Sequence, residues 1–152
     1  MGIKVDQSSL AKLLESMEAE ISKINRKIDT ALTYAGEAGV SVAKQQGNYE
    51  DQTANLRSSI GYLVHTKGQK DKVAGFEQFP PKPTKRGNKH AKRIGMKVGR
   101  NTVIEIARGL SADHALVMVA GMPYAEAVER RGYDVLTRGA LEAEMIFKQL
   151  IK

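Results

Sequence analysis

The sequence lacks cysteine, long apolar runs and any recognisable membrane or export signal. Without Cys, the fold cannot depend on disulfides or thiolate metal sites, which fits a reducing compartment without establishing one. No apolar run approaches the roughly 18 residues of a membrane span, and the N-terminus lacks the basic-then-apolar order of a secretion signal. Met1 and Gly2 begin like a myristoylation signal, but Asp6 stands where that motif requires Ser or Thr. We therefore expect a soluble protein with no membrane contact.

Metal-binding and phosphate-binding motifs are also missing. The three histidines, at positions 65, 90 and 114, are far apart, and none has metal-ligand spacing to another His. The glycines at positions 95 and 99 are not followed by the Lys-Ser/Thr pair of a phosphate-binding loop. We expect no metal and no cofactor.

Two polar groups could be interpreted as catalytic, but each has a simpler explanation. Ser58 and Ser59 fall on a predicted strand rather than in a Gly-x-Ser-x-Gly turn, so strand packing explains them better. Glu126 and Glu129 are three residues apart on one predicted helical face, where they could form an acid-base pair. A solvated face with an ion pair to Arg130 is the simpler explanation. The sequence therefore predicts that the chain is not an enzyme.

Length and charge indicate one domain with a basic segment. The chain has 152 residues, 41% of them hydrophobic, and no internal repeat, which favours a single domain over residues 1–152. Residues 67–100, the basic segment, contain eleven Lys or Arg and two acidic residues, a balance of +9, whereas the rest of the chain carries −2. The segment also holds three of the four prolines. We expect it to form a long loop or arm inserted in the domain.

Four functions are open for the basic segment. It could be a solvated linker, an arm that binds DNA phosphates through counterion release, or an arm that docks on an acidic protein surface. Residues 80–83, with the sequence PPKP, could also bind an aromatic groove, although a rigid spacer explains them more simply. The basic residues expected to contact a protein partner or nucleic acid are Lys82, Lys85, Arg86, Lys89, Lys92, Arg93 and Lys97.

A long N-terminal helix is predicted from about Ser9 to Lys44, with Ser8 or Ser9 as its cap and a break or bend at Gly36 and Gly39. Its apolar residues recur at alternating steps of four and three, as in a coiled coil. We call them the seam: Leu10, Leu14, Met17, Ile21, Ile24, Ile28, Ala31 and Ala35. The seam could pack entirely on the domain's own sheet. Alternatively, its first five residues, Leu10, Leu14, Met17, Ile21 and Ile24, pack on another copy of the chain.

The remaining elements are shorter. Alternation predicts a strand over residues 56–66, and a continuous apolar run predicts a buried strand over residues 115–120 that pairs with it. A third strand is expected at residues 96–98 or 102–107, although the latter range also has capping-box spacing and favours a helix through Leu110.

Two helices complete the chain. A short one covers residues 124–131, between Pro123 and Gly132, and a final one begins near Thr137. The final helix has a predicted buried stripe of Leu136, Ala140, Ala143, Phe147 and Leu150. This order predicts an α+β domain with helices on one face of a small, mainly antiparallel sheet.

Two short motifs resemble a known family. Residues 56–62 read LRSSIGY, and residues 123–129 read PYAEAVE. Together they resemble the L-R-x-S-I-x-Y and Y-A-x-x-V-E patterns of the head-tail joining proteins, also called neck or tail-completion proteins, of long-tailed phages. The resemblance covers roughly residues 8–65 and 115–150. Members often continue with a proline- and phenylalanine-containing stretch, where this chain has GYDVLTRG at residues 132–139.

The resemblance implies a structural virion protein rather than a catalyst. It implies a homo-oligomeric ring between the portal-adaptor complex and the tail tube, through which DNA passes, with neck, adaptor or tail-tube proteins as neighbours. The expected location is the virion neck or tail, assembled in the bacterial cytoplasm. A nucleic-acid-binding module that uses the basic segment on phosphates is the alternative.

Overall fold

The fold is α+β, as predicted. The computed structural model describes residues 6–82 and 92–152. Its elements are the helices α1 (Gln7–Gln46), α2 (Asn55–Ser58), α3 (Gly95–Ala107), α4 (Ala125–Arg130) and α5 (Thr137–Leu150), and the strands β1 (Ile60–Thr66), β2 (Lys72–Ala74) and β3 (His114–Ala120).

The described strands form one antiparallel sheet in the order β2-β1-β3. The predicted pairing of the two longer strands is confirmed, with Leu63 opposite Val117. Alternate residues of β1 enter two cores: Tyr62 packs in the one that contains Leu32 of α1, and Leu63 in the one that contains Val103 of α3. Helices therefore cover both faces of the sheet, and the prediction of helices on one face was wrong. In β3 only Val119 is fully buried, because this strand lies at the sheet edge.

Helix α1 is continuous over 40 residues, or about 60 Å at 1.5 Å per residue. The predicted serine cap was wrong: Asp6 caps the helix, and its carboxylate accepts a hydrogen bond from the Ser8 N–H at 3.4 Å. The helix also continues through Gly36 and Gly39 without the predicted break. Tyr62 packs directly on Gly36, and the backbone of Gly139 on Gly39, so these glycines permit close packing where a side chain would not fit.

The predicted strand over residues 56–66 begins only at Ile60, because residues 55–58 form the helical turn α2. Distant contacts fix this turn. The Asn55 side-chain oxygen accepts hydrogen bonds from the N–H groups of Ile94 and Gly95, both at 3.1 Å. Both serines are fully buried: Ser58 accepts from the Phe79 N–H, and Ser59 donates to the Leu56 carbonyl. Placing Ser58 and Ser59 on a strand was therefore wrong, and they satisfy backbone groups instead.

Both candidates for the third strand were wrong, because residues 96–98 and 102–107 lie in α3. The helical alternative for residues 102–107 is confirmed, although α3 ends at Ala107. The third strand is β2, which lies within the basic segment and pairs Val73 with Leu63. Both ends of residues 67–100 thus contain regular structure, contrary to the expected loop throughout.

Helices α4 and α5 are confirmed close to their predicted bounds. The predicted stripe of α5 is only partly buried. Ala143 is buried, Leu136 and Phe147 are half-buried, and Ala140 and Leu150 are exposed. Helix α5 contacts α1 through the small residues Gly139 and Ala143, and Leu136 and Phe147 pack on the core that contains Leu32 of α1. A Cβ on Gly139 would lie 2.5 Å from the Gly39 carbonyl oxygen, so the two backbones are in direct contact.

Candidate assembly surface

Five of the eight seam residues are exposed. The first five residues of the seam are each about half exposed, between 45% and 55% of their maximum: Leu10, Leu14, Met17, Ile21 and Ile24. We call these five the bare seam. Leu13, which the sequence reasoning left out, is 56% exposed beside them. The structure thus places all five predicted self-association residues together on one exposed helical face.

The other three seam residues belong to the core. Ile28 is half-buried and packs on the core that contains Leu32, whereas Ala31 and Ala35 are buried. The seam passes from exposed to buried at the point where α5 ends. Leu150, the last residue of α5, lies beside Arg26 and Lys27 of α1. The first 18 residues of α1, about 27 Å, therefore extend past the domain with their apolar side uncovered.

The bare seam is energetically significant. Burial of a large aliphatic side chain stabilises by roughly 1.5–3 kcal/mol, so each half-exposed residue here would gain on the order of 1 kcal/mol from a partner. A contiguous apolar stripe on an exposed helix is typical of a protein-protein interface. A helix that projects into water is only marginally stable when intrinsic helix propensity and one capping residue are all that stabilise it. A partner that packs along the bare seam would add stability to this part of α1.

The charges beside the bare seam are acidic. Helical geometry places Glu18 on one flank and Glu20 on the other, whereas Lys12 and Lys23 lie farther round the helix. Lys23 Nζ lies 3.6 Å from Glu20, but both side chains are largely exposed, so this pair contributes little. A partner surface that is apolar with basic edges would therefore complement this half of α1.

The basic residues predicted to bind a partner are only partly located. Lys82, Lys92, Arg93 and Lys97 are all exposed, whereas Lys85, Arg86 and Lys89 lie outside the described residues. Lys97 shares the outer face of α3 with Arg100, and Arg108 follows three turns along on that face. Within residues 6–82 and 92–152, none of these three side chains forms a salt bridge. Sequence reasoning missed Arg108 because it lies beyond the basic segment.

A cavity of about 550 Å³ lies between the end of α1 and the turn after β2. Lys44 crosses it: its ammonium donates to the Gly75 carbonyl at 2.5 Å and lies 5.0 Å from the centre of the Phe79 ring. Burial lowers the pKa of Lys44, and Glu77 opposes that effect. Tyr62 donates to Glu37 at 3.1 Å, and burial together with that carboxylate raises the pKa of the phenol. These contacts bind the end of α1 to the sheet.

The histidines and glutamates also have structural partners. His65 lies 2.7 Å from Asp71, and His114 lies 3.2 Å from the buried Asp29. Glu126 pairs with Arg130, as expected, but Glu129 turns toward the start of α5. In the part of the chain that the structure describes, no group of three or more His, Asp or Glu side chains could hold a metal ion.

Comparisons of the chain with protein-family models, with curated proteins and with solved structures found no match. None of the helices in residues 6–82 and 92–152 has the length and apolar character needed to cross a membrane.

Proposed function

We propose that this chain is a structural protein of the bacteriophage neck or tail end. Its copies assemble into a ring that joins head to tail and lets DNA pass, and the assembled protein resides in the virion. The bare seam is the observation that carries this function, because a helix that presents about 21 Å of uncovered apolar surface, from Leu10 to Ile24, is suited to a contact between chains.

The two motifs of the family resemblance add to this support. In this fold, residues 56–62 form the turn and first half of the central strand, and residues 123–129 open α4. Both motifs flank the same core, since Leu56 and Ala125 are buried in one cluster. The basic segment then serves docking: its exposed Lys82, Lys92 and Arg93 would contact an acidic surface on a neighbouring neck, adaptor or tail-tube protein.

Native mass spectrometry of the purified chain, alone and mixed with candidate portal-adaptor and tail-tube proteins, tests this function. We expect a discrete oligomer whose mass is a whole multiple of 16.6 kDa, formed alone or on the partner ring. A single 16.6 kDa species at high concentration, unchanged by every partner, would overturn it.

Binding to nucleic acid is the second candidate. The observation in its favour is the outer face of α3, where Lys97, Arg100 and Arg108 are exposed without acidic partners among the described residues. Each phosphate contact contributes about −0.9 to the slope of log K against log salt concentration. Tight duplex binding with a steep salt dependence, by a chain that stays monomeric, would favour this function over a neck ring.

A further inference from the structure

Strand β3 has one edge without a strand partner. In the described sheet it lies outermost and pairs with β1 over seven consecutive residues, without a bulge. The Gly121 N–H donates to the Ser59 carbonyl at 3.2 Å, and the Lys67 N–H donates to the Asp113 carbonyl at 2.8 Å. Because successive strand residues point their backbone groups to alternate sides, these bonds fix which residues of β3 face away from β1. They are His114, Leu116, Met118 and Ala120.

The outward backbone groups of β3 are open to a further strand. Within residues 6–82 and 92–152, no backbone group pairs with the N–H or C=O groups of these four residues on that side. All four residues are half-buried rather than buried. Proteins commonly protect such an edge with a charged residue, a proline or a bulge. Strand β3, with the sequence HALVMVA, has no Lys, Arg, acidic residue or Pro.

Two apolar hollows lie beside the free edge of β3, on the side of the sheet that α1 covers. Their volumes are about 350 Å³ and 340 Å³. The apolar residues that β3 and α5 contribute to their walls are Leu116, Met118, Ala120, Leu136, Ala140 and Phe147. Because α5 packs beside α1, it overhangs the position that a fourth strand would take next to β3. Ala140 is exposed in the wall common to both hollows.

The charged side chains that line the hollows are all acidic. Glu126 and Glu129 line one hollow, and Glu144 lines the other. Glu129 already accepts hydrogen bonds at the start of α5, whereas Glu126 pairs with Arg130 and Glu144 with Lys148. These two pairs are largely exposed and contribute little, so each can exchange for a pair with a basic residue of another chain. Charge thus adds a second, weaker preference to that of the backbone groups.

These features select an extended peptide as the occupant. The outward N–H and C=O groups recur at every second residue, roughly 7 Å apart, which is the spacing that an added strand matches. Alternate side chains of that strand would enter the hollows beside Leu116, Met118 and Ala120, so they should be apolar.

A second copy does not fit this place through its own strands. In an antiparallel pair of β3 strands related by a two-fold axis, both copies keep α1 and α5 on the same side of the joined sheet. Each α5 would then lie over β3 of the other copy, where α1 of that copy already packs. The strand at the opposite edge, β2, has only three residues. A narrow extended segment avoids the overlap.

We propose that the free edge of β3 binds an extended segment of another protein as an added strand of the sheet. The segment is about five to seven residues long, with apolar residues at alternate positions and basic residues between them. The site shares no residue with the bare seam, so this contact goes beyond the proposed function and does not depend on ring formation.

Hydrogen exchange of the wild-type chain, followed by NMR, tests the free edge. The N–H groups of Leu116, Met118 and Ala120 should exchange at least ~10-fold faster than those of Val117 and Val119, which bond to β1. Equal protection of all five at every protein concentration would overturn the proposal. Protection of the outward groups that rises with protein concentration would assign the edge to a second copy and would also overturn it.

A capped peptide of about seven residues, with valine at alternate positions and lysine or threonine between them, tests the occupant. Binding should slow exchange of the outward N–H groups of β3 at least ~10-fold. Methylating the peptide nitrogens of one alternate set should weaken binding at least ~10-fold, whereas methylating the other set should change it less than about twofold. Equal losses from both sets, or no binding at millimolar peptide, would contradict the added strand.

Ala140→Phe tests the hollows. The added ring would fill the space common to both and should weaken peptide binding at least ~10-fold. Because Ala140 is exposed, circular dichroism should show the wild-type helix content. Gln149→Phe adds the same ring at an exposed position on the opposite side of α5 and should leave binding unchanged. Wild-type peptide affinity in Ala140→Phe would overturn the proposal, whereas the oligomeric state of the wild type tests the ring separately.

Discussion

The side chain of Glu129 fixes the connection between α4 and α5, at residues 132–137, which the family resemblance did not predict. Its carboxylate accepts hydrogen bonds from the N–H groups of Val135 at 2.9 Å, Leu136 at 3.0 Å and Thr137 at 3.3 Å. It also accepts from the Thr137 hydroxyl. These are unpaired donors at the start of α5, where a negative charge also complements the helix dipole. Partial burial alone would raise the pKa of Glu129, but the hydrogen bonds from Thr137, Val135 and Leu136 outweigh it, so the pKa is lowered.

Replacing Glu129 should therefore destabilise the start of α5 in a pH-dependent way. Glu129→Gln should lower the unfolding free energy by about 1 kcal/mol at pH 7, a shift of roughly 2–4 °C in Tm. Because the pKa of Glu129 is lower in the folded state, its ionisation stabilises the fold at pH values above the ordinary glutamate pKa. This stabilisation is lost as the pH falls through the lowered pKa. Thermal melts between pH 7 and pH 3 should show the variant and wild type converging at low pH.

Glu126→Gln is the matched control, because Glu126 lies one turn away and, within residues 6–82 and 92–152, pairs with the exposed Arg130 alone. It should change Tm by less than 1 °C. Equal losses in both variants would show that Glu129 does not cap α5.

At the scale of elements, α1 and α5 are joined by direct backbone contact in addition to the larger side chains Leu136 and Phe147, which pack on the core that contains Leu32 of α1. Gly39 and Gly139 meet with no room for a Cβ, and Ala43 lies 2.9 Å from where a Cβ on Gly139 would lie. Leu141 and Met145 lie on the opposite side of α5 and are exposed.

Gly139→Ala should consequently separate the two helices. The added methyl would overlap the Gly39 carbonyl oxygen, and overpacking of this kind costs about 1–3 kcal/mol. Chemical denaturation should show that loss. Gly109→Ala is the control, since its nearest contact would lie at an ordinary 3.6 Å. Unchanged stability for Gly139→Ala would show that the helices can shift apart freely.

The elements that sequence could predict are those with sustained periodicity. The seam predicted the bounds of α1 to within two residues at each end, and the apolar run at residues 115–120 predicted a strand that pairs with β1. Strand β2 has only three residues, too few to show alternation. The turn at residues 55–58 depends on the hydrogen bonds that Asn55 accepts from Ile94 and Gly95, some 40 residues away. Local helix or strand propensity cannot predict such a distant contact.

The residues of the candidate site could be predicted from the sequence, but their exposure could not. The apolar residues of the bare seam are visible in the sequence, but their exposure depends on where α5 ends beside Arg26 and Lys27. The close backbone contact of α5 with α1 through Gly139 does not follow from its hydrophobic pattern.

At the scale of the whole molecule, charge and apolar surface are separated. The bare seam lies on the projecting half of α1, whereas Lys97, Arg100 and Arg108 lie on α3, which packs on the other face of the sheet. A ring with every basic segment facing its channel would bind a passing duplex strongly through its phosphates. We therefore expect most of the basic segment to contact neighbouring proteins rather than DNA.

Sedimentation velocity of the wild type and of the Leu14→Lys, Ile21→Lys variant is the most direct measurement of the central claim, that the bare seam drives assembly. Ala19→Lys with Ser22→Lys adds the same charge on the opposite, exposed face of the same helix and serves as the control. We predict that the wild type and the control sediment as the same oligomer and that the seam variant sediments as a folded 16.6 kDa monomer. A seam variant that sediments as the wild-type oligomer would contradict the account.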